Sequence, residues 1–185
     1  CGLPISERVQ IIKSSIFIYS CTFQKNGIST TKGGAIYIEI KGTNTPEGGS
    51  QIYNCTFDEC IGSNGGSINL QITRNDRFVE IINCTFNNNR AEGQSGGAIY
   101  ADVIFSSIIN CTFKDNYALN QGQDIYYTTQ EKSSSSSDKP LLIERCEFIR
   151  TLKEPTIELI YLNWKAASDF SFNYNNIILP KLKET

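Results

Sequence analysis

A Cys-x-Phe element returns five times along this chain, and no other feature narrows its fold so far. The copies are Cys21-Thr22-Phe23, Cys55-Thr56-Phe57, Cys84-Thr85-Phe86, Cys111-Thr112-Phe113 and Cys146-Glu147-Phe148, and Phe170-Ser171-Phe172 reads as a diverged sixth. Three residues past each second aromatic stands a small polar residue: Asn26, Cys60, Asn89, Asn116, Thr151 and Asn175. The spacing, roughly 24 to 35 residues, is that of solenoids and repeat arrays.

A second element follows each first one after a short turn. It is a glycine corner leading into an apolar run: Gly33-Gly34-Ala35-Ile36-Tyr37, Gly65-Gly66-Ser67-Ile68-Asn69, Gly96-Gly97-Ala98-Ile99-Tyr100, Gly122-Gln123-Asp124-Ile125-Tyr126 and, without glycine, Glu154-Pro155-Thr156-Ile157-Glu158. Successive side chains on a strand point to opposite faces. Period 2 therefore turns Ile36-Ile38-Ile40, Ile68-Leu70-Ile72, Ile99-Ala101-Val103 and Ile157-Leu159-Tyr161 inward, and sets Tyr37, Asn69, Tyr100, Tyr126 and Glu158 outward. In the Cys-x-Phe strands the same period places Ile82-Cys84-Phe86 and Ile109-Cys111-Phe113 on one face. Glu144 breaks this pattern near Cys146.

One repeat cannot cover its own apolar face, whereas copies stacked in register align Cys on Cys, Phe on Phe and Ile on Ile. The expected fold is all-β: a parallel β-helix of about six coils running through residues 1–185 as a single segment. Antiparallel sandwiches need hairpin turns and give no reason for like residues to recur at one period. Helical repeats are disfavoured by the density of Ile, Thr, Tyr and Phe. Asparagines past each Phe fit turns, where they could form a ladder. Two insertions, near 41–50 and 128–139, read as loops bulging from the coil.

The pairing of Gly-Gly-Ala-Ile (Gly33–Ile36, Gly96–Ile99) with Phe-x-x-Asn (Phe23 to Asn26, Phe86 to Asn89, Phe113 to Asn116, Phe172 to Asn175) resembles the chlamydial polymorphic outer membrane protein repeat, similar to repeats in large surface proteins of some protists. The resemblance implies a right-handed, pectin-lyase-like parallel β-helix displayed outside the cell, often in adhesion. Fold transfers along such a resemblance more readily than function.

Composition narrows the chemistry. Charged residues make up 19% and the formal net charge is −2, so no basic face neutralises nucleic-acid phosphates or anionic lipid. No apolar run is long enough to span a bilayer. The repeat is already under way near the first residues, as expected for a piece of a longer secreted or surface protein. There is no His in the chain, which removes the commonest general base and most zinc sites. Polysaccharide-cleaving β-helices need clustered outward acids, with calcium and a base or as a close acid pair. Here Asp102 and Glu158 stand in separate coils. We therefore expect no catalytic residues, no metal site, no cofactor and no enzyme activity.

Three features remain as candidate sites. Asn54-Cys55-Thr56, Asn83-Cys84-Thr85 and Asn110-Cys111-Thr112 are sequons, and with Asn and Thr outward they would carry N-linked glycans along one flank at Asn54, Asn83 and Asn110; equally, they decorate a solvated strand. Seven cysteines, an odd number, leave one thiol free or pair Cys1 outside the segment. Cys21, Cys55, Cys84, Cys111 and Cys146 form either a ladder with some bridges or a stack of buried thiols. The column Tyr37, Asn69, Tyr100 and Tyr126 is a ladder on the sheet face or a strip that binds sugar rings or a partner.

The function expected is an extracellular or cell-surface structural or adhesive module of a surface, matrix or filament protein. Its partners would be other surface proteins, glycans, or copies of itself stacked end to end, and not nucleic acid. A carbohydrate-binding module using the tyrosine column is the alternative, and a degenerate polysaccharide lyase the remotest.

Overall fold

The computed structural model describes residues 15–40, 48–72, 77–103, 106–128, 141–151, 159–163, 170–173 and 175–178. Cys1, the loops expected near 41–50 and 128–139 apart from residues 48–50 and 128, and the Glu154–Glu158 copy lie outside them. The described chain is a parallel β-solenoid with four sheets running along it. In the order a coil visits them, sheet I holds Phe17–Tyr19, Gly48–Tyr53, Arg77–Ile82, Ser106–Ile109, Leu141–Glu144 and Phe170–Asn173. Sheet II holds Thr22–Gln24, Thr56–Asp58, Thr85–Asn87, Thr112–Lys114, Glu147–Ile149 and Asn176–Ile178. Sheet III is narrow and short, with Ile61–Gly62, Arg90–Ala91 and Tyr117–Ala118. Sheet IV holds Ile36–Ile40, Ile68–Ile72, Ile99–Val103, Ile125–Thr128 and Ile160–Asn163. Sheets I and II hold six strands each, while sheet IV has five and sheet III three, so the regular part amounts to about four turns, fewer than the expected six coils.

The core is a set of one-residue columns. Phe23, Phe57, Phe86, Phe113 and Phe148 stack at centroid spacings of 4.9, 4.9, 4.8 and 5.0 Å with rings nearly parallel. Ile36, Ile68, Ile99 and Ile125 pair in register in sheet IV and are buried. Each phenylalanine fully removed from water contributes roughly 1.5–3 kcal/mol, so stability is distributed evenly along the rod.

Three registers differ from the sequence reading. The Cys-x-Phe unit is two strands meeting at a corner, not one. Asn54, Asn83 and Asn110 hold φ of +54°, +53° and +53° there. Period 2 does not carry through a left-handed residue, so Ile81 and Ile108 face the core while Ile82 and Ile109 face outward. Glu144 pairs with Ile109 on that outer face, which resolves its apparent breach of the pattern. Second, Ile125 pairs with Ile160 and Tyr126 with Tyr161, so the inward set of that coil is Ile160 and Leu162, and Tyr161 joins the outer column. A one-residue shift exchanges faces throughout a strand. Third, Phe170-Ser171-Phe172 belongs to sheet I, opposite Leu141–Ile143. The sixth copy in sheet II is Asn176–Ile178, with Ile177 under Phe148.

The glycine pair explains the turn into sheet IV. Gly96 has φ +73°, open to glycine at no steric cost. A Cβ on Gly97 would collide with the carbonyl oxygen of Gln123 in the next coil. The corners therefore stack too closely for any side chain at that position.

Candidate functional site

The two corners flanking sheet II use one device. A left-handed residue turns the chain, and the next side chain points inward to satisfy backbone groups that no ladder reaches. At the second corner, Cys60 N–H donates to Asn89 Oδ1 (3.0 Å) and Asn89 N–H to Asn116 Oδ1 (2.9 Å). The amides of Asn89 and Asn116 donate in turn to the carbonyls of Phe57 (3.1 Å) and Phe86 (3.0 Å) in the preceding coil. The expected asparagine ladder is present, with Cys60 in one of its places.

The first corner does the same with sulfur. The amides of Cys21, Cys55 and Cys84 donate to the Sγ of Cys55, Cys84 and Cys111 at 3.5, 3.4 and 3.4 Å. The thiols of Cys55, Cys84, Cys111 and Cys146 donate to the carbonyls of Tyr53, Ile82, Ile109 and Glu144 at 3.3–3.4 Å. The six described cysteines are free thiols. Burial pushes Cys60 up to about 11 and Cys111 well above its usual value. Such thiols are poor nucleophiles.

Asn54, Asn83 and Asn110 form a column on the outside of the first corner. Asn110 Nδ2 donates to Asn83 Oδ1 at 2.6 Å, and Asn54 Nδ2 to Ser20 Oγ at 3.1 Å. The left-handed backbone at these sites accounts for asparagine, which tolerates it well.

The tyrosine column exists, but not as an open strip. Tyr37, Asn69, Tyr100 and Tyr126 are in register. Tyr37 is 4% exposed and Asn69 fully buried, so both are covered on the outer face of sheet IV rather than open to a ligand. The preceding corner folds over them: Lys32 Nζ lies 4.9 Å above the Tyr37 ring and hydrogen-bonds its hydroxyl at 2.9 Å, and Asn69 Nδ2 donates to the carbonyls of Asn64 and Lys32. Tyr100, Tyr126 and Tyr161 stack at 5.0 and 5.2 Å, so their rings cover one another. Burial, then the neighbouring Asp102, lifts Tyr100 to about 12.

Residues that carry no repeat signal make a further site. A groove of about 930 Å³ runs over the outer face of sheet III, where Ile61, Arg90 and Tyr117 pair in register. The Arg90 guanidinium sits 5.3 Å from the Tyr117 ring centroid, and Nε is 3.4 Å from a Glu92 oxygen. Asp115 accepts from Thr151 N–H (2.7 Å) and Oγ1 (2.6 Å), fixing one wall. At the floor, Arg150 Nη2 meets Asp124 Oδ2 at 2.7 Å, and Asn116 Nδ2 donates to the other carboxylate oxygen at 2.9 Å. Asp124 is wholly buried, and desolvation lifts it to about 6 against the pull of Arg150. The one sequence sign of this pair was Asp124 standing where other coils have Ala35, Ser67 or Ala98. Among the described residues no group of three His, Cys, Asp or Glu side chains could hold a metal ion, and no helix is long and apolar enough to cross a membrane.

The stacked columns and paired corners define a parallel β-solenoid repeat protein. The model of the Chlamydia polymorphic membrane protein repeat matches the chain twice, at residues 20–39 and 83–102. Each match runs from a left-handed corner through Phe-x-x-Asn to the Gly-Gly-Ala-Ile strand, so over these two stretches the chain is similar to that repeat, and its coils are those of a parallel β-solenoid. The coils outside the matches depart from the motif: Cys60 and Ser67 in the coil between them, Gln123 and Asp124 in the coil after the second. No curated protein and no solved structure matches the chain.

Proposed function

We propose that the chain is a non-catalytic structural or adhesive module of an extracellular or cell-surface protein. The observation that carries this reading is that the repeat uses its patterned side chains as core columns and corner ties. The carboxylates gathered around sheet III are held by neighbouring side chains. Asp115 spends both carboxylate oxygens on Thr151, and Asp124 is sealed under Arg150. Neither is placed to exchange a proton with a bound substrate, which general acid–base catalysis requires. The repeat type supports display outside the cell. The tyrosine ladder serves the rod better than a sugar, since its ring faces are occupied by each other.

The test is surface labelling of intact source cells with a membrane-impermeant reagent, together with incubation of the purified chain with neutral and acidic polysaccharides. Labelled protein and no new reducing ends or unsaturated products are expected. Protein found only inside the cell, or release of either product, overturns the reading.

A further inference from the structure

The groove over sheet III has features that neither the repeat nor the family match explains. Its volume, about 930 Å³, is that of a small-molecule site. Its walls come from strands and corners of a stacked scaffold, so it is formed before any ligand arrives. Its charges are balanced and engaged: Glu59 lies 3.7 Å from Lys25, Arg90 is beside Glu92, Asp115 is held by Thr151, and Arg150 by Asp124. What it offers outward is neutral. The side-chain amides of Asn88 and Asn120 and the Tyr117 hydroxyl have no hydrogen-bond partner among the described residues, and beside them lie the exposed Tyr117 ring and Leu119, 36% and 56% exposed.

Free amides next to an aromatic ring, with no uncompensated charge, suit a ligand that alternates hydroxyl groups with apolar C–H patches. We propose that this groove binds a neutral oligosaccharide, with Tyr117 as its apolar contact and Asn88 and Asn120 as hydroxyl partners. Arg90, lying against Tyr117, holds the ring in place as a positioning residue. An acidic sugar would find no unpaired cation, and a lipid chain would have to bury the Asn88 and Asn120 amides without a partner. The inference rests on the adhesive reading above and supplies its ligand class. The rod can be a surface module whether or not the groove is filled.

The test is titration of the isotope-labelled chain with maltotriose, mannotriose, galactotriose and triacetylchitotriose, followed by amide chemical shifts, with trigalacturonate as the acidic comparison. At least one neutral trisaccharide is expected to move the resonances of Asn88, Tyr117 and Asn120 with a Kd between about 10 µM and 1 mM. Tyr117→Ala is expected to weaken binding at least tenfold, and Tyr117→Phe, which keeps the ring, by less. Dispersed spectra of both variants establish that the coil is intact. Silence from all four neutral probes at about 10 mM, response to trigalacturonate alone, or undiminished binding by Tyr117→Ala overturns the proposal. None of these outcomes bears on where the protein resides, which surface labelling reads separately.

Discussion

The backbone amide of Cys146 donates to Asn175 Oδ1 at 2.7 Å, in the place where preceding coils use a cysteine sulfur. Asn175 Nδ2 then reaches the carbonyl of Ile143, as Cys146 Sγ reaches that of Ile108. Cysteine and asparagine are therefore two solutions to one corner. Cys111→Asn and Cys60→Asn should leave the melting temperature within a few degrees of the parent. Cys111→Ala should cost about 1–3 kcal/mol by orphaning the inward amide and carbonyl. Urea denaturation of the three variants decides it; equal losses for Ala and Asn would refute the equivalence.

The close corner stacking gives a second prediction. Gly97→Ala must push against the Gln123 carbonyl, whereas a residue other than glycine already occupies the corresponding place at Gln123. Gly97→Ala should therefore destabilise by well over about 1 kcal/mol, although the same change in a regular element ordinarily stabilises by up to about that much. Gln123→Ala meets no such clash and should cost about 1 kcal/mol through its two lost side-chain bonds to the Ala118 N–H and carbonyl. Thermal denaturation of the pair compares them directly.

Asp124 and Arg150 predict a pH effect of definite sign. The carboxyl titrates at about 6 in the fold, raised by burial, against about 3.9 in an unfolded chain. The folded state thus holds its proton more readily, and the contribution is fully present below about pH 4 and lost as pH rises through about 6. Asp124→Asn should flatten that part of the stability profile between pH 4 and 7. Arg150→Met alone, which leaves a buried carboxyl unpaired, should cost about 3–5 kcal/mol, while the double change Asp124→Ala with Arg150→Met should recover most of it.

Glycan occupancy should follow the column geometry. In-register coils are about 4.8 Å apart, and Asn83 has a sequon neighbour on each side. In chain secreted from a eukaryotic host, peptide mass spectrometry should find glycan on Asn54 and Asn110 more often than on Asn83. It should find no folded molecule modified at both Asn83 and Asn110. Full occupancy of all three would disprove this crowding argument.

The sequence made the columns legible because like residues recur at one period: phenylalanine on phenylalanine, isoleucine on isoleucine, and the glycine pair before sheet IV. It misled wherever a left-handed residue interrupted the alternation. Alternation through Asn83 turns Ile82 inward, whereas Ile81 occupies the core. The repeat pattern aligns Ile157 with Ile125 in a coil whose glycines are gone, and the pairing of Ile125 with Ile160 is visible only once strands are laid side by side. The closing of Lys32 over Tyr37 is a contact between a corner and a strand, which no periodicity encodes. The groove was hidden for a related cause: Ile61, Arg90 and Tyr117 share a position without sharing a residue type.

The strand boundaries hold one more consequence. Between sheet IV and sheet I the chain passes from Ile40 to Gly48, Ile72 to Arg77, Val103 to Ser106, Thr128 to Leu141 and Asn163 to Phe170. Nearly all variation in coil length falls at this single junction, while the corners around sheet II keep their spacing. The molecule thus has one seam that takes connections of differing length without disturbing its registers, so new surface can be grafted there while the interior stays the same from coil to coil.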